Sequence, residues 1–303
     1  MKAKNPLVSI IIITYNSGNN FKQTLDAIFS QKMKDFEVII IDSSSTDNTL
    51  DIVKKYNTRI FKIKKEEFGH GKTRNFGANL AKGKYLVFMT QDAIPADKNW
   101  LSELIKSLND EKVAGVYSRQ IPKENENTID KFFYLSLYPE KNITWKKEDI
   151  VQGNNIFSDV SSAMRKELFL KNTFNEKLIL GEDYDWASRM LNKNLQIYYN
   201  SNSKVIHSHS YKLCSVFKRN FDIGVLYQTI YPSKNKQKGF FKKGTTILAN
   251  ELKYLAKKGK VYLVPYAILK DATKFIAINL GKNSNHLPTF INKRLSNYPR
   301  YWK

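Results

Sequence analysis

Short apolar runs alternate with amphipathic stretches over roughly the first 210 residues of the chain. Residues 8–15, 36–41 and 85–89 are apolar runs of strand length, and polar turn residues followed by apolar positions at helical spacing come after each of them. Such runs are typical of strands that are buried on both faces of a parallel sheet. The pattern predicts an α/β fold in which helices flank a mostly parallel sheet.

Weaker patterns predict the remaining elements: an edge strand over 60–63, helices over 73–81 and 158–171 and from 181 onward, and strands over 113–117, 195–199 and 204–206. Residues 120–153 show no clear period, which is typical of a binding loop or lid. We therefore expect a catalytic domain over 1–210, with core motifs extending to about 230, and a helical C-terminal region over 211–303.

Polar residues stand where three predicted strands end. Thr14, Tyr15 and Asn16 end the first run, Asp42 ends the second, and Gln91 with Asp92 ends the third. Because the carboxyl ends of parallel strands share one edge of a sheet, where such folds bind ligands, these side chains are expected to meet there. The Asp42 carboxylate could accept hydrogen bonds from the hydroxyls of a ribose, and the Ser44 hydroxyl could bond to the same sugar. The alternative is that Asp42 caps the next helix and Asp92 caps a Pro-containing turn.

Three further clusters could carry chemistry. His70, Lys72 and Arg74 lie among glycines at a helix start, which suits a phosphate, although solvated surface cations would look the same. Glu182 and Asp183 open a helix, so one of them could be a general base, or both could simply complement the helix dipole. His207 and His209 would project to one side of an extended chain and could join Asp92 at a metal, or could be ordinary polar residues.

Charge is concentrated in the C-terminal region. Residues 211–303 hold 19 Lys and Arg against 3 Asp and Glu, a net charge of +16 out of +22 for the whole chain. This asymmetry predicts an acidic partner, either nucleic acid or an anionic membrane surface. Amphipathic helices on a membrane are suggested by apolar residues beside cations, although a solvated basic face or a self-association surface remains the alternative. These apolar residues are Phe217, Phe221, Val225, Leu226, Leu252, Tyr254 and Leu255.

The cysteine content and the hydropathy of the sequence indicate the cellular compartment of the protein. The single cysteine, Cys214, excludes an internal disulfide framework, and the amino end has no signal-peptide pattern. The most apolar late stretch, 261–280, is interrupted by Lys270, Asp271 and Lys274, whereas a spanning helix needs about 20 mainly apolar residues. We expect a cytoplasmic protein that is peripheral at the inner face of the plasma membrane.

Five motifs occur in a recognisable order: Val-Ser-Ile-Ile-Ile-Ile-Thr-Tyr-Asn at 8–16, Asp-Ser-Ser-Ser-Thr-Asp-Asn-Thr at 42–49, His-Gly-Lys-Thr-Arg-Asn at 70–75, Thr-Gln-Asp-Ala at 90–93 and Gly-Glu-Asp at 181–183. Together they resemble family 2 inverting glycosyltransferases, which have the nucleotide-sugar-binding fold of GT-A type. Val-Tyr-Ser-Arg-Gln-Ile-Pro at 116–122 and His-Ser-His-Ser-Tyr at 207–211 resemble more narrowly the bacterial rhamnosyltransferase branch, which uses dTDP-L-rhamnose.

The resemblance implies a role for each matching residue. Thr14, Tyr15, Asn16 and Asp42 would hold the nucleoside, Arg74 would lie beside the donor, Asp92 would ligate Mg²⁺ or Mn²⁺, and Asp183 would be the base. The acceptor would be a lipid-linked glycan. The family's Asp-x-Asp motif is Thr90-Gln91-Asp92 here, so one carboxylate is missing and a contribution from His207 or His209 becomes more important.

Other classes of protein fit less well. A nucleic-acid-binding protein would place cations, and not these acidic strand ends, at its binding face, so we expect no nucleic-acid partner. A UDP-linked sugar is the alternative donor, and an inactive carbohydrate-binding scaffold of the same fold is the alternative to an enzyme. Measurement of sugar transfer or donor hydrolysis would distinguish an enzyme from an inactive scaffold.

Overall fold

The computed structural model describes residues 5–151, 157–230 and 240–302, with side chains described at all of these except 150–151 and 240–243. Gly153, the end of the predicted lid, therefore lies outside the described residues. The chain divides into two compact units. The first contains Met1–Lys123, Tyr138–Glu176 and Glu182–His207, and the second contains Glu124–Leu137, Lys177–Gly181 and Ser208–Lys303.

The first unit is built on one mixed sheet. The strands are β1 Val8–Thr14, β2 Phe36–Asp42, β3 Arg59–Lys62, β4 Tyr85–Thr90, β5 Ile94–Pro95, β6 Val113–Ile121, β7 Ile143–Trp145, β8 Ser161–Arg165 and β9 Gln196–Ile206. Their order in the sheet is β3-β2-β1-β4-β8-β6-β9-β5, and β7 pairs with β9. The parallel part consists of β3, β2, β1 and β4, and β8 runs antiparallel between β4 and β6.

Helices cover both faces of the parallel part. The helices of this unit are α1 Asn20–Phe29, α2 Thr49–Val53, α3 His70–Leu80, α4 Trp100–Lys106, α6 Lys147–Val151, α7 Lys166–Leu170 and α8 Glu182–Asn192. Alternate residues of β1, such as Ile10 and Ile12, pack in one core with α1 and α4, whereas Ile11 points toward α3. A Cβ atom at Gly77 of α3 would lie 2.5 Å from Cγ2 of Ile11, so only glycine allows this close approach.

Three sequence-based assignments of structure were wrong. The helix expected over 158–171 is strand β8 followed by the short helix α7, and the two strands expected over 195–206 form the single strand β9, which contains a bulge. The region 120–151 is not irregular, because it includes β7 and two helices, α5 (Thr128–Leu137) and α6.

The second unit is helical. It contains α5, α9 (Leu213–Ile230), α10 (Phe240–Lys257), α11 (Val264–Lys282) and α12 (Thr289–Leu295). Phe221, Val225 and Leu226 are buried in α9, and Leu255 is buried in α10. The prediction that these residues form a membrane-facing surface is therefore wrong, since they build the core of the unit. Among the described residues, none of the helices has both the length and the hydropathy to cross a membrane.

Candidate active site

The ends of β1 and β2 meet through Asp42. Asp42 is fully buried and pairs in register with Thr14, whose hydroxyl donates to its Oδ2 at 3.2 Å. Ser45 donates to the same carboxylate from both its backbone N–H, at 3.0 Å, and its hydroxyl, at 2.5 Å. The two strand ends therefore lie together as expected, and local hydrogen bonds hold the Asp42 carboxylate at the sheet edge.

The loop after β1 is tied to the end of β4. The side-chain oxygen of Gln91 accepts hydrogen bonds from Tyr15 N, at 2.9 Å, and from the Ser17 hydroxyl, at 2.5 Å. Asn16, at a positive φ of 46°, accepts a bond from Thr46 N at 2.9 Å. Tyr15 is partly exposed, and the Lys65 ammonium lies 4.5 Å from its ring centroid. All three strand ends named by the sequence therefore converge.

Ser44, His70 and Lys72 occupy more peripheral positions. Ser44 has a positive φ of 65° and donates its hydroxyl to Ile63 O at 2.8 Å. His70 is the first residue of α3, and its ring contacts Phe68 edge-on. Lys72 lies two residues further along the same helix and is exposed. The contacts of these three residues with a donor remain predictions.

Arg74 organises a buried cluster of carboxylates. Its guanidinium donates to Glu182 Oε1, and its Nε lies 3.5 Å from Oδ2 of Asp159. All three side chains are almost completely buried. The N-terminal turns of α3 and α8 approach closely here, because a Cβ atom at Gly71 would lie 3.4 Å from that of Glu182. The two motifs are therefore joined by an ion cluster, and the expected contact of Arg74 with a donor remains a prediction.

Asp183 sits at the start of α8 beside this cluster. Its Oδ2 accepts a hydrogen bond from the backbone N–H of Asp159 at 3.1 Å. Val160, which follows Asp159, accepts a hydrogen bond at its carbonyl oxygen from Thr90 N at 3.2 Å, so this short segment connects Asp183 to the end of β4. Burial, and after it the neighbouring Glu182 carboxylate, raises the pKa of the Asp183 carboxyl to about 6. A partly exposed carboxylate with this pKa can accept a proton near neutral pH.

Asp92 faces a histidine beyond β9. Its Oδ1 lies 3.7 Å from Nε2 of His207, and Nδ1 of His207 lies 2.9 Å from Oε1 of Gln120. The amide nitrogen of Gln120 donates to the Tyr138 hydroxyl at 2.6 Å. His209 belongs to the second unit, where its backbone N–H donates to the Tyr134 hydroxyl at 3.2 Å, and its part in a metal site remains a prediction.

Sequence reasoning missed Asp159 and Gln120 as members of this region. Asp159 is a lone acidic residue in a segment expected to be helical, and no local pattern marks it. Gln120 lies inside the Val-Tyr-Ser-Arg-Gln-Ile-Pro motif, which was a signal of resemblance without a chemical role. A groove of about 630 Å³ beside Leu7 and Lys82 lies at the opposite end of β1 from Thr14, so it does not belong to this site.

Comparison with known proteins defines the class. Residues 9–171 match the family described as "Glycosyl transferase family 2", and the chain therefore belongs to that family. The mixed sheet with flanking helices is the GT-A fold. A mannosyltransferase from Pyrobaculum calidifontis, in complex with GDP-Man and Mn²⁺, superposes with a TM-score of 0.60 at 17% identity over 99% of this chain and 84% of its own. S. aureus TarS has a TM-score of 0.54 at 18% identity and covers 92% of this chain and 91% of its own.

Two relatives that match nearly the whole chain are rhamnosyltransferases. The "O-antigen chain rhamnosyltransferase WbaN" of Salmonella anatum is 32% identical over 98% of this chain and 96% of the relative. "O-antigen chain rhamnosyltransferase RfbN" of Salmonella typhimurium is 31% identical over 97% of this chain and 96% of the relative. The protein is thus a glycosyltransferase that is similar over nearly its whole length to rhamnosyltransferases.

Proposed function

We propose that this glycosyltransferase moves L-rhamnose from dTDP-L-rhamnose onto a hydroxyl of a lipid-linked glycan during cell-surface polysaccharide synthesis, with inversion at the anomeric carbon. The observation that carries the proposal is Asp183, a carboxylate of raised pKa that backbone hydrogen bonds hold beside the converging strand ends. The near-full-length similarity to two rhamnosyltransferases supports the choice of sugar. We also propose a cytoplasmic, membrane-peripheral enzyme, with 1–210 as the catalytic domain and 211–303 as the attachment region.

The chemistry assigned to Asp183 is general-base catalysis. Its carboxylate accepts the proton of the acceptor hydroxyl as that oxygen forms a bond to the anomeric carbon and the bond from this carbon to the diphosphate oxygen breaks. The electron pair of the broken bond leaves with the nucleoside diphosphate. Glu182 is held in a buried ion pair with Arg74, so Asp183 and not Glu182 is assigned as the proton acceptor. At the nucleoside end, Asp42, Thr14 and Asn16 would bind the ribose and base.

A divalent cation fits the chemistry of Asp92 and His207. A carboxylate oxygen and an imidazole nitrogen face each other at 3.7 Å, and this oxygen and nitrogen donor set suits Mn²⁺, while Mg²⁺ would depend more on the carboxylate. When bound, such an ion would stabilise the negative charge that develops on the departing diphosphate. With Thr90 in place of a second carboxylate, a contribution from His209 would complete the set.

The test is a thermal-shift panel of nucleotide sugars measured with Mg²⁺ or Mn²⁺. A ligand that binds only the native state raises the melting temperature according to ln(1 + [L]/Kd), so the selected donor gives the largest shift at equal concentration. We expect dTDP-L-rhamnose to stabilise the protein more than UDP-linked or GDP-linked sugars do, and EDTA to reduce that shift.

The second candidate is a different nucleotide-sugar donor in the same site. It is favoured by the solved structures of similar fold that are complexes with GDP-Man and with UDP-GlcNAc. A larger shift with a UDP-sugar than with dTDP-L-rhamnose would contradict the rhamnose assignment and would leave the transferase assignment in place.

A further inference from the structure

Helix α11 presents apolar side chains on its exposed face, where a helix that faces water usually presents polar ones. Six positions at i, i+3, i+4, i+7, i+10 and i+11 are all apolar and all exposed, and Leu269 and Ile276 keep 52% and 53% of their surface accessible. We call these residues the outer face of α11. They are Pro265, Ile268, Leu269, Ala272, Phe275 and Ile276. Positions with this spacing lie on one side of a helix, so they form a continuous apolar stripe.

Three of the four charged residues of α11 lie away from the outer face, and the fourth, Lys282, is the last residue of the helix. Lys270 is buried and its Nζ is 2.5 Å from Oδ1 of Asp130, and Lys274 is paired with Asp271 at 2.8 Å. Glu251 of α10 is buried and interacts with Asp271. The three charged side chains that interrupt the apolar sequence of α11 are therefore paired within the second unit. The outer face contains no charged side chain, so its exposure to water is unfavourable.

The exposed charged side chains in the described part of 211–303 are almost all cations. The only acidic residues of 211–303 are Asp222, Glu251 and Asp271, and the first two are buried while the Asp271 side chain is 22% exposed. By contrast, an exposed cluster of cations immediately precedes α11. These are Lys253, Lys257, Lys258 and Lys260. Tyr262, which is 70% exposed, lies between this cluster and the outer face.

We propose that the outer face of α11 inserts into the interfacial layer of an anionic lipid bilayer, with the preceding lysine cluster bound to the lipid headgroups. An apolar stripe that lies flat at the depth of the acyl boundary, beside cations at headgroup level, is the arrangement of interfacial helices. Charge argues against a parallel pairing with a second copy of this chain, because that pairing would bring two lysine clusters together.

The cations of this surface are ones that the sequence suggested, but its apolar residues are different. The apolar residues of α9 beside Lys218 and Arg219 are core residues, whereas the outer face of α11 belongs to a stretch whose internal charges argue against a membrane-spanning helix. The proposal rests on the membrane-peripheral part of the proposed function and assigns it to exposed residues of the second unit, but it does not depend on a lipid-linked acceptor.

The test is flotation of the full chain with vesicles of phosphatidylcholine alone or mixed with phosphatidylglycerol. We expect the parent protein to bind the mixed vesicles only. Leu269→Gln with Ile276→Gln should weaken binding tenfold or more, on the order of the transfer free energy of two apolar side chains. Replacing Lys257, Lys258 and Lys260 by Gln should weaken it by about fivefold per residue, and added salt should do the same.

The matched control is Leu170→Gln, because Leu170 is 39% exposed on α7 of the first unit. It should bind vesicles as the parent does, and all variants should give the same thermal shift with the nucleotide sugar, which separates this proposal from the transferase proposal. Unchanged vesicle binding by both the glutamine pair and the lysine variant would overturn the proposal. A dimer that the glutamine pair abolishes, with no vesicle binding by the parent, would overturn it in favour of a second copy.

Discussion

The hydrogen bonds around His207 indicate which tautomer its neutral ring adopts. The amide nitrogen of Gln120 donates to Tyr138 and to Ser158, so the carbonyl oxygen of Gln120 is the atom that faces His207. A carbonyl can only accept, which makes Nδ1 of a neutral His207 the protonated nitrogen and Nε2 the lone-pair nitrogen. Nε2 is the atom directed at Asp92. In the proposed metal site, Gln120 would therefore leave the lone pair of His207 Nε2 available to the cation.

Changing Gln120 tests this positioning role. Gln120→Leu removes the acceptor for Nδ1–H, and we expect Mn²⁺ affinity in the presence of nucleoside diphosphate to fall about 10–100-fold, as is usual when the hydrogen-bond partner of a metal-binding histidine is lost. Gln120→Glu keeps an acceptor and should retain most of the affinity. Electron paramagnetic resonance of free Mn²⁺ measures both variants. Equal affinities for Gln120→Leu and the parent would show that His207 is not a ligand positioned by Gln120.

At the residue scale, the sequence predicted those site residues that end apolar runs or stand in acidic pairs. Asp42, Asp92 and Asp183 have such local signals. Asp159 and Gln120 do not, because each acquires its place only when distant strands pair: β8 lies between β4 and β6, and Gln120 lies opposite Val205 of β9. Nothing within ten residues of either position encodes those partners.

At the scale of elements, the crossing of α9 and α11 depends on two glycines. A Cβ atom at Gly224 would collide with the backbone of α11 at Ile278 and Gly281, and one at Gly281 would collide with the backbone of α9 at Phe221. Backbone atoms cannot move aside as the end of a flexible side chain can. The two helices therefore approach at a distance that any larger residue would prevent.

Gly224→Ala should destabilise the second unit by about 1–3 kcal/mol, since the added methyl group forces the two helices apart. Gly244→Ala on α10 is the matched control, because nothing lies within 4 Å of its Cβ position. That change should stabilise the protein by about 0.5–1 kcal/mol through helix propensity. Urea denaturation followed by circular dichroism measures both. A stability of Gly224→Ala equal to or above that of the parent would contradict the close crossing.

Strands that form clear apolar runs were predictable from the sequence, and β8 was not. β1, β2 and β4 are rich in Ile, Val and Phe, which identifies them as buried strands. β8 is Ser-Ser-Ala-Met-Arg and has no such enrichment. Its residues form a strand because neighbours on both sides supply its hydrogen bonds, and Ser161 and Ser162 find side-chain partners in Trp100 and Asp159. Tertiary pairing therefore overrides local preference there.

At the scale of the molecule, the division of charge is the dominant feature. The sequence predicted an acidic partner from the net charge of +16 over 211–303, but it could not say which apolar residues would be exposed. Nor could it say that two of the three carboxylates of this region, Asp222 and Glu251, would be buried. Among them, burial raises the pKa of Glu251 to about 7, with a smaller contribution in the same direction from the nearby Asp271 carboxylate, while Lys274 and Lys270 oppose it.

A raised pKa in the folded state links stability to pH. The stabilisation that protonated Glu251 provides is present below its ordinary value of 4.5 and is lost as the pH rises through about 7. Glu251→Gln keeps the neutral form, so we expect its melting temperature to equal that of the parent near pH 5 and to exceed it by several degrees near pH 8. Glu111→Gln, at an exposed site, should match the parent at both values. A destabilised Glu251→Gln at the higher pH would contradict the assignment.

The proposed mechanism requires Asp183 to accept the proton of the acceptor hydroxyl, and the rate of sugar transfer by Asp183→Asn tests this requirement. The matched control is Asp185→Asn on the same helix, whose carboxylate pairs with Arg189 at 2.9 Å. We expect Asp183→Asn to lower the rate of sugar transfer about 10²–10⁴-fold, with the dissociation constant for the donor unchanged, and Asp185→Asn to retain nearly the full rate. Transfer by Asp183→Asn at the rate of the parent would contradict the mechanism.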